Sequence, residues 1–540
     1  MSLPPPADLD LPPAFPRISD FVGHYAGKTP DTVAMVLDDQ RVTYGEFHER
    51  VEALARALLQ AGVGKGDRVA TLCTPSPDYF ICFLATASIG TIWVGLNPRY
   101  QLNELSYVAD DSQPVLLLAR SRIEGRDYTP ELEALAQRTP SIRRTIILDE
   151  QTGSIPPGAI GLEAFLAEGA DVADADLAAA RNACGGRDAC MVVYTSGSTG
   201  RPKGALLHHQ GIVEFSLEQN RIWPVSPLRT LNYFPVNHIG CVVDVSTPTL
   251  VSGGTLVFLE NFSPKRSLEL MEQEKVTLWA SVPSVFQLQY ADETFATTDL
   301  SAVKLIVWEG AAMPADLLER LLQHGAPLAT NYGMTESCGA MTVVPPSRDR
   351  AVLSGSVGWP MPGVDVRLAD GDKVITETGV TGEIQAKSVY NMLGYWNRPE
   401  ATAETLDAEG WLATGDLGQR NPDGTYSIVG RSKEMYKSGG YNVYPREVEN
   451  VIESHPQVDI AAVISITDPV WQEVGIAYVL VNGALTVEAL EAHCRANLAN
   501  YKIPKRFFLV HELPLLPIGK VDKVSLRALA AKDLEKTAAS

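Results

Sequence analysis

The stretch YFICFLATASIGTIWVGL, residues 79–96, runs eighteen residues without a charge, and the choice between a membrane span and a buried helix and strand decides the fold. Its length is at the lower limit for spanning a bilayer. Thr86, Ser88, Gly90 and Thr91 interrupt it, and Gly90 separates a helix-like half from the strand-like TIWVGL. A helix and a strand buried inside an α/β domain fit this pattern, and no membrane span is expected. Working outward, Thr43 and Glu46 have capping-box spacing, Phe47, Val51, Leu54, Leu58 and Leu59 share one helical face, and Gly62 ends the helix. Strands are expected at DRVATLC, which follows, and at VLLLA (115–119), TIILD (145–149), CMVVYT (190–195), TLVFL (255–259), TLWASV (277–282) and LIVWEG (305–310). With helices between several of them, the fold class is α/β, built as doubly wound layers.

From about residue 352 short strands with Gly and Pro turns replace this rhythm, indicating a small β-rich subdomain. GRSKEMYKSGGYN (430–442) breaks the pattern again and suits a hinge, after which the chain reads as a small α+β unit. The expected division is a flexible leader over 1–15, an N-terminal domain over 16–430 and a mobile C-terminal domain over 431–540.

The formal net charge is −20, yet residues 431–540 hold 13 Lys and Arg against 13 Asp and Glu, so the acidity lies earlier in the chain. Nucleic acid is excluded as a partner. Cys73, Cys82, Cys184, Cys190, Cys241, Cys338 and Cys494 are odd in number and contain no CxxC pair, as expected of reduced thiols in a cytoplasmic protein. The adjacent His208 and His209 have no third ligand at metal spacing, which favours a structural role.

Chemistry concentrates in YTSGSTGRPKG (194–204). It follows a strand and mixes three glycines with four hydroxyl residues, so backbone N–H groups and hydroxyls can surround phosphate oxygens. It is not a Walker A loop, because Gly204 follows Lys203. The loop resembles the phosphate loop of the adenylate-forming superfamily, which includes acyl-CoA synthetases, peptide-synthetase adenylation domains and beetle luciferases. Further motifs in the family's order extend the resemblance from about residue 16 to 527.

The resemblance implies an acid–CoA ligase that uses ATP, Mg²⁺ and coenzyme A. Thr195, Ser196, Gly197, Ser198, Thr199, Gly200 and Lys203 would hold phosphates. In NYGMTE, Asn331, Tyr332, Gly333 and Met334 would flank the adenine, Thr335 would contact the α-phosphate, and Glu336 would hold the metal. Gly310, Ala311 and Ala312 resemble the small-residue turn behind the adenine, while Asp416 in WLATGDLG and Arg431 in GRSKE resemble the ribose ligands. Lys520, in LPLLPIGKVDK, resembles the lysine that bridges carboxylate and α-phosphate during adenylation, and Lys433 the hinge residue of the C-terminal domain. His238, in FPVNHIG, resembles the gate between acyl pocket and thiol channel.

The acceptor is read from Lys437, Ser438, Gly439, Gly440 and Asn442, in KSGGYN followed by VYPREVE. This resembles the acyl-CoA synthetase pattern in which paired glycines border the pantetheine path. Twenty residues follow Lys520, so no fused carrier domain is expected. An adenylating enzyme that stops at the adenylate or loads a separate carrier protein is the alternative. A small carboxylic acid is the expected partner, and the protein is either a monomer or a homodimer. Pocket positions are His238, Cys241, Trp308, Glu309, Gly310, Gly333, Cys338, Gly339 and Ala340. Most are small or apolar and none is cationic, which suits an alicyclic, aromatic or medium-chain acid. Glu309, where many relatives carry a small residue, either faces this pocket or is solvated, and solvation is favoured.

Overall fold

The computed structural model describes residues 9–195, 202–432, 434–438, 441–468, 470–516 and 521–538. Residues 79–96 divide at Gly90 as expected. The helix Pro77–Ser88 is buried along its length, Gly90 turns the chain at φ 78°, and Ile92–Leu96 is a fully buried strand. No described helix is long and apolar enough to cross a membrane.

That strand belongs to an eight-stranded sheet in the order Gly394–Tyr395, Lys203–His208, Ala189–Thr195, Ile92–Leu96, Arg68–Leu72, Leu116–Ala119, Arg144–Ile147 and Ile160–Gly161. A second sheet of nine strands runs Trp359–Pro360, Gly339–Ser347, Leu328–Met334, Leu305–Trp308, Leu278–Ser281, Arg229–Asn232, Thr255–Phe258, Val33–Leu37 and Gln40–Thr43. The inner strands of both pair in parallel. One core joins the inner faces of the two sheets through the helices Tyr44–Gln60 and Pro77–Ser88. Each outer face carries its own helices, Leu102–Ser112 and Thr129–Arg138 on the first sheet and Pro264–Gln273, Pro283–Ala291 and Ala315–Gln323 on the second. This is the doubly wound arrangement expected, present twice.

Thr43 and Glu46 close a reciprocal capping box, with Glu46 N–H donating to Thr43 Oγ1 at 3.3 Å and Thr43 N–H to Glu46 Oε2 at 2.8 Å. The β-rich subdomain is a five-stranded antiparallel sheet between Val364 and Arg431. A separate sheet over residues 436–510, covered by Pro445–Glu453, Val487–Asn497 and Lys523–Ala538, has its own cores. Within the expected leader, residues 9–15 depart from the reading as flexible: Leu11 and Phe15 pack on the main core, and Phe15 meets Phe21 edge-on at 4.8 Å. Apolar side chains spaced through the proline-rich segment give it something to bury.

Candidate active site

The phosphate-loop motif leaves one sheet strand and returns as the next. Ala189–Thr195 and Lys203–His208 pair antiparallel with Tyr194 opposite Gly204 and Thr195 opposite Lys203; Ser196, Gly197, Ser198, Thr199 and Gly200 lie outside the described residues. Gly204 is required by close packing, because a Cβ there would stand 2.6 Å from Val192 Cγ1 and 3.2 Å from the Tyr194 ring. The helix Leu102–Ser112 grips both limbs: Tyr194 Oη donates to Asp111 Oδ2 at 2.8 Å, and Tyr107 Oη to the Pro202 carbonyl at 2.8 Å. Lys203 Nζ sits 4.2 Å above the Tyr395 ring, a cation–π contact that holds the ammonium at the loop's exit.

Two hydrogen-bonded knots hold NYGMTE, one to this loop and one to the β-rich subdomain; the motif forms the end of the strand Leu328–Met334 and the 3₁₀ turn Thr335–Ser337. In the first, Glu336, 5% exposed, accepts at Oε1 from Tyr395 Oη (2.7 Å) and from Thr195 Oγ1 (3.3 Å). Thr335 is buried beside it. Among the described residues no three ligating side chains cluster to hold a metal. One buried carboxylate at the mouth of a phosphate loop still fits Mg²⁺, which takes most of its ligands from phosphates and water. In the second knot, Asp416 accepts from Tyr332 Oη at 2.7 Å on one oxygen, and its other oxygen is ion-paired with Arg431 Nε at 3.0 Å. Burial and Asp416 push the Tyr332 phenol well above its usual range, so it serves as a donor. Asp416 and Arg431 face each other across paired strands. The turn of Gly310 (φ 79°), Ala311 and Ala312 is exposed.

On the acyl side, His238 Nδ1 accepts from the Gly240 N–H at 3.0 Å, which places the proton of a neutral ring on Nε2. Glu309 is half-buried rather than fully solvated. It accepts from Asn331 Nδ2 at 3.0 Å, and burial together with the neighbouring Asp244 carboxyl holds its own carboxyl well above the usual range. Asp244 is carried by the π-helical turn Gly240–Ser246 and pushed up to about 7 by burial. Two expected pocket residues turn elsewhere. Trp308 shares strand parity with Ile306 and packs into the outer core of the second sheet. Cys241 is fully buried in the inner core, its sulfur 3.5 Å from Asn232 Nδ2. Cys338 and Ala340 are buried on the inner side, and Cys338 lies near Asp244, which helps burial push its thiol up. Gly333 and Gly339 add no room: a Cβ on Gly333 would be 2.0 Å from the Gly339 carbonyl oxygen, and one on Gly339 2.5 Å from the Phe215 ring.

Residues 22–396 match the AMP-binding enzyme family and residues 447–520 its C-terminal domain. The chain belongs to that family. As a member of the adenylate-forming superfamily it is an ATP-dependent, AMP-forming acid–CoA ligase. Similar proteins include the feruloyl-CoA synthase of an Amycolatopsis species, 36% identical over 93% of this chain and 96% of the relative. The indoleacetate–CoA ligase of Aromatoleum aromaticum is 30% identical over 96% and 98%. Among solved structures, the amide bond synthetase McbA of Marinactinospora thermotolerans superposes with a TM-score of 0.82 at 27% identity, covering 95% of this chain and 99% of that one.

In the ligase's C-terminal domain, Lys433, Gly439, Gly440 and Lys520 lie outside the described residues, as does the side chain of Asn442. Ser438 is buried opposite Tyr441 in a short antiparallel pair, and the exposed Lys437 donates its backbone N–H to Glu473 Oε2 at 3.2 Å. Beside the expected hinge position, Lys523 bridges Glu434 (2.6 Å) and Glu449 (2.8 Å). Sequence reasoning missed Tyr395, Asp244 and Lys523. The Lys523 signal was present in GKVDK, three residues past Lys520. Asp244 stood as a lone charge inside the apolar run CVVDVS, a pattern that should have raised the question of its partner.

Proposed function

We propose that the two knots are the halves of an adenylation site, with Tyr332, Asp416 and Arg431 holding the nucleoside and Thr195, Lys203, Thr335 and Glu336 the phosphates. The convergence of Thr195 and Tyr395 on Glu336 carries this reading, because it brings the start of the phosphate loop to the only carboxylate of NYGMTE. Glu336 would supply the protein ligand to Mg²⁺, whose positive charge offsets that of the phosphates. The substrate carboxylate forms a bond to the α-phosphorus while the bond to the β-phosphate oxygen breaks and pyrophosphate leaves. Lys520 neutralises charge on the α-phosphate. The thiol of coenzyme A then adds to the acyl carbonyl, and AMP leaves with the electron pair of the C–O bond. Since the attacking carboxylate is ionised at neutral pH, the first step needs orientation and charge stabilisation rather than a base.

The names of the relatives, feruloyl-CoA synthase and indoleacetate–CoA ligase, support an aromatic acid as substrate. The Ser438–Tyr441 hairpin suits the pantetheine path, and Lys433 the pivot for domain alternation. We place the enzyme in the cytoplasm, where ATP, coenzyme A and reduced thiols coexist.

The test is release of AMP and pyrophosphate across aromatic, alicyclic and medium-chain acids, with and without coenzyme A, alongside Lys520→Ala. Turnover that needs both acid and coenzyme A and collapses in the variant supports the reading. Pyrophosphate release indifferent to coenzyme A would transfer the second step to another acceptor, and undiminished adenylation in Lys520→Ala would remove Lys520 from the mechanism.

A further inference from the structure

Three elements meet around Asp244. It projects from the π-helical turn Gly240–Ser246, Glu309 ends the strand Leu305–Trp308, and Asn331 lies on the neighbouring strand. π-Helical turns inside helical segments recur at functional sites. Asp244 Oδ1 is fully enclosed and accepts no hydrogen bond among the described residues. Gln219 donates through Nε2 to the Asp244 carbonyl at 2.9 Å, which leaves its own Oε1 enclosed and equally without a donor. Among the described residues, the Glu309 carboxylate accepts from the Asn331 amide alone. What acts on these two carboxyls, among the described residues, is burial, each other and Asn331, with no lysine or arginine. Enclosed acceptors without donors are costly, and Asp244 stands beside Cys338, which with Glu309 is among the residues expected to line the acyl pocket.

Resting on the adenylation reading above, we propose that this pocket selects carboxylic acids whose tail carries a hydrogen-bond donor, a hydroxyl or an amine, received by Asp244 and Glu309. A hydroxyl would give its proton to Asp244 Oδ1. An ammonium would in addition supply the missing positive charge and let both carboxyls ionise. A purely hydrocarbon tail would leave these oxygens unpaired, and a site built to accept a hydrogen bond discriminates strongly against the analogue that lacks it.

The full-length enzyme is given two matched acid series, para-ethyl, para-hydroxymethyl and para-aminomethyl 3-phenylpropanoate, and heptanoate, 6-hydroxyhexanoate and 6-aminohexanoate. kcat/KM is measured by pyrophosphate release, and Kd for the corresponding non-hydrolysable N-acylsulfamoyl adenosines by calorimetry. In at least one series the donor-bearing member should exceed its hydrocarbon isostere by about tenfold or more in either measure. Asp244→Ala should bring that ratio to about one, and because the ratio is taken within one variant, general losses of folding cancel. Asp244→Asn, which keeps an acceptor but no charge, should retain a preference for the hydroxyl member and lose a preference for the amine. Equal or better use of the hydrocarbon members in both series, or a donor preference unchanged in both Asp244→Ala and Glu309→Ala, overturns the proposal while the ligase reading stands. Failure of every acid and every adenosine analogue to react or bind would overturn both.

Discussion

Glu336 makes one oxygen serve two donors, Tyr395 Oη and Thr195 Oγ1, and a hydrogen bond to a charged group contributes about 1.5–3 kcal/mol. Tyr395→Phe keeps the ring under Lys203 but removes the donor that aims Glu336. The Mg²⁺ concentration for half-maximal pyrophosphate release should therefore rise about tenfold while KM for the acid stays unchanged, as a Mg²⁺ titration would show. Tyr332→Phe removes the partner of Asp416, so KM for ATP should rise several-fold, roughly the loss of one such bond, with kcat largely kept. The histidine pair titrates against the fold. Burial, aided by Arg187, lowers His208 to about 4, and burial, aided by Arg17, lowers His209 to about 3. Both are neutral in the folded chain at pH values where the unfolded chain binds protons. The stability they hold is complete above about pH 6.5 and is lost as pH falls toward 4, at about 1.4 kcal/mol per pH unit for each histidine. Melting temperature followed from pH 7 to 4.5 should fall less steeply in His209→Gln. The sequence exposed these residues unevenly. Tyr332, Glu336 and Asp416 stand out as candidates because each sits in a local motif, whereas Tyr395 reaches Glu336 from fifty-nine positions away and no local pattern announces that.

At the scale of elements, local signals carried the prediction furthest. The capping box at Thr43, the turn at Gly90 and the seven apolar runs all became the structures they indicated, because each is decided by contacts within a few residues. Sheet order was not readable, since Val33–Leu37 joins Thr255–Phe258, far along the chain. Side-chain parity was the other gap. LIVWEG reads as a strand, yet its alternation sends Trp308 to the outer core and Glu309 toward Asn331, so of these two expected pocket positions Trp308 departs. The glycines of the site also changed meaning. Gly333 and Gly339 permit the strand Leu328–Met334 to fold tightly against Gly339–Ser347, with a register shift between Tyr332 and Gly333. Gly333→Ala would press a methyl into the Gly339 carbonyl, at a cost of about 3 kcal/mol in strain and repacking. Pyrophosphate release should fall sharply and the melting temperature with it, while Ala340→Gly, which adds no atom there, should leave adenylation within about threefold of the parent.

Across the whole molecule, the proposed mechanism asks one site to serve two half-reactions, which would require the small domain to move as a unit without losing its own order. The contacts next to the hinge suit that demand. Glu434 and the helix residue Lys523 are ion-paired, Lys523 also meets Glu449, and Arg446 links Glu449 with Glu453 at 3.4 and 2.8 Å. Glu449 is 4% exposed and further accepts the Val463 N–H at 2.9 Å, so the network is anchored in the core of the small domain. It ties the segment that follows the hinge position to the start of the helix Lys523–Ala538, three residues beyond Lys520. The two carboxylates hold the Lys523 ammonium charged, raising its pKa against the opposing effect of burial. Lys523→Met would leave Glu449 with a diminished partner set and cost the small domain roughly 2–3 kcal/mol, whereas Lys523→Arg should restore much of it. If the network orients the Lys520 segment, acid-dependent exchange of pyrophosphate into ATP should fall about tenfold or more in Lys523→Met at temperatures where the chain remains folded. Binding of ATP itself should change little, because Tyr332, Asp416 and Arg431 precede the hinge and are untouched. Exchange that stayed at the parent rate would mean that the network holds the small domain together and has no part in aiming its lysine.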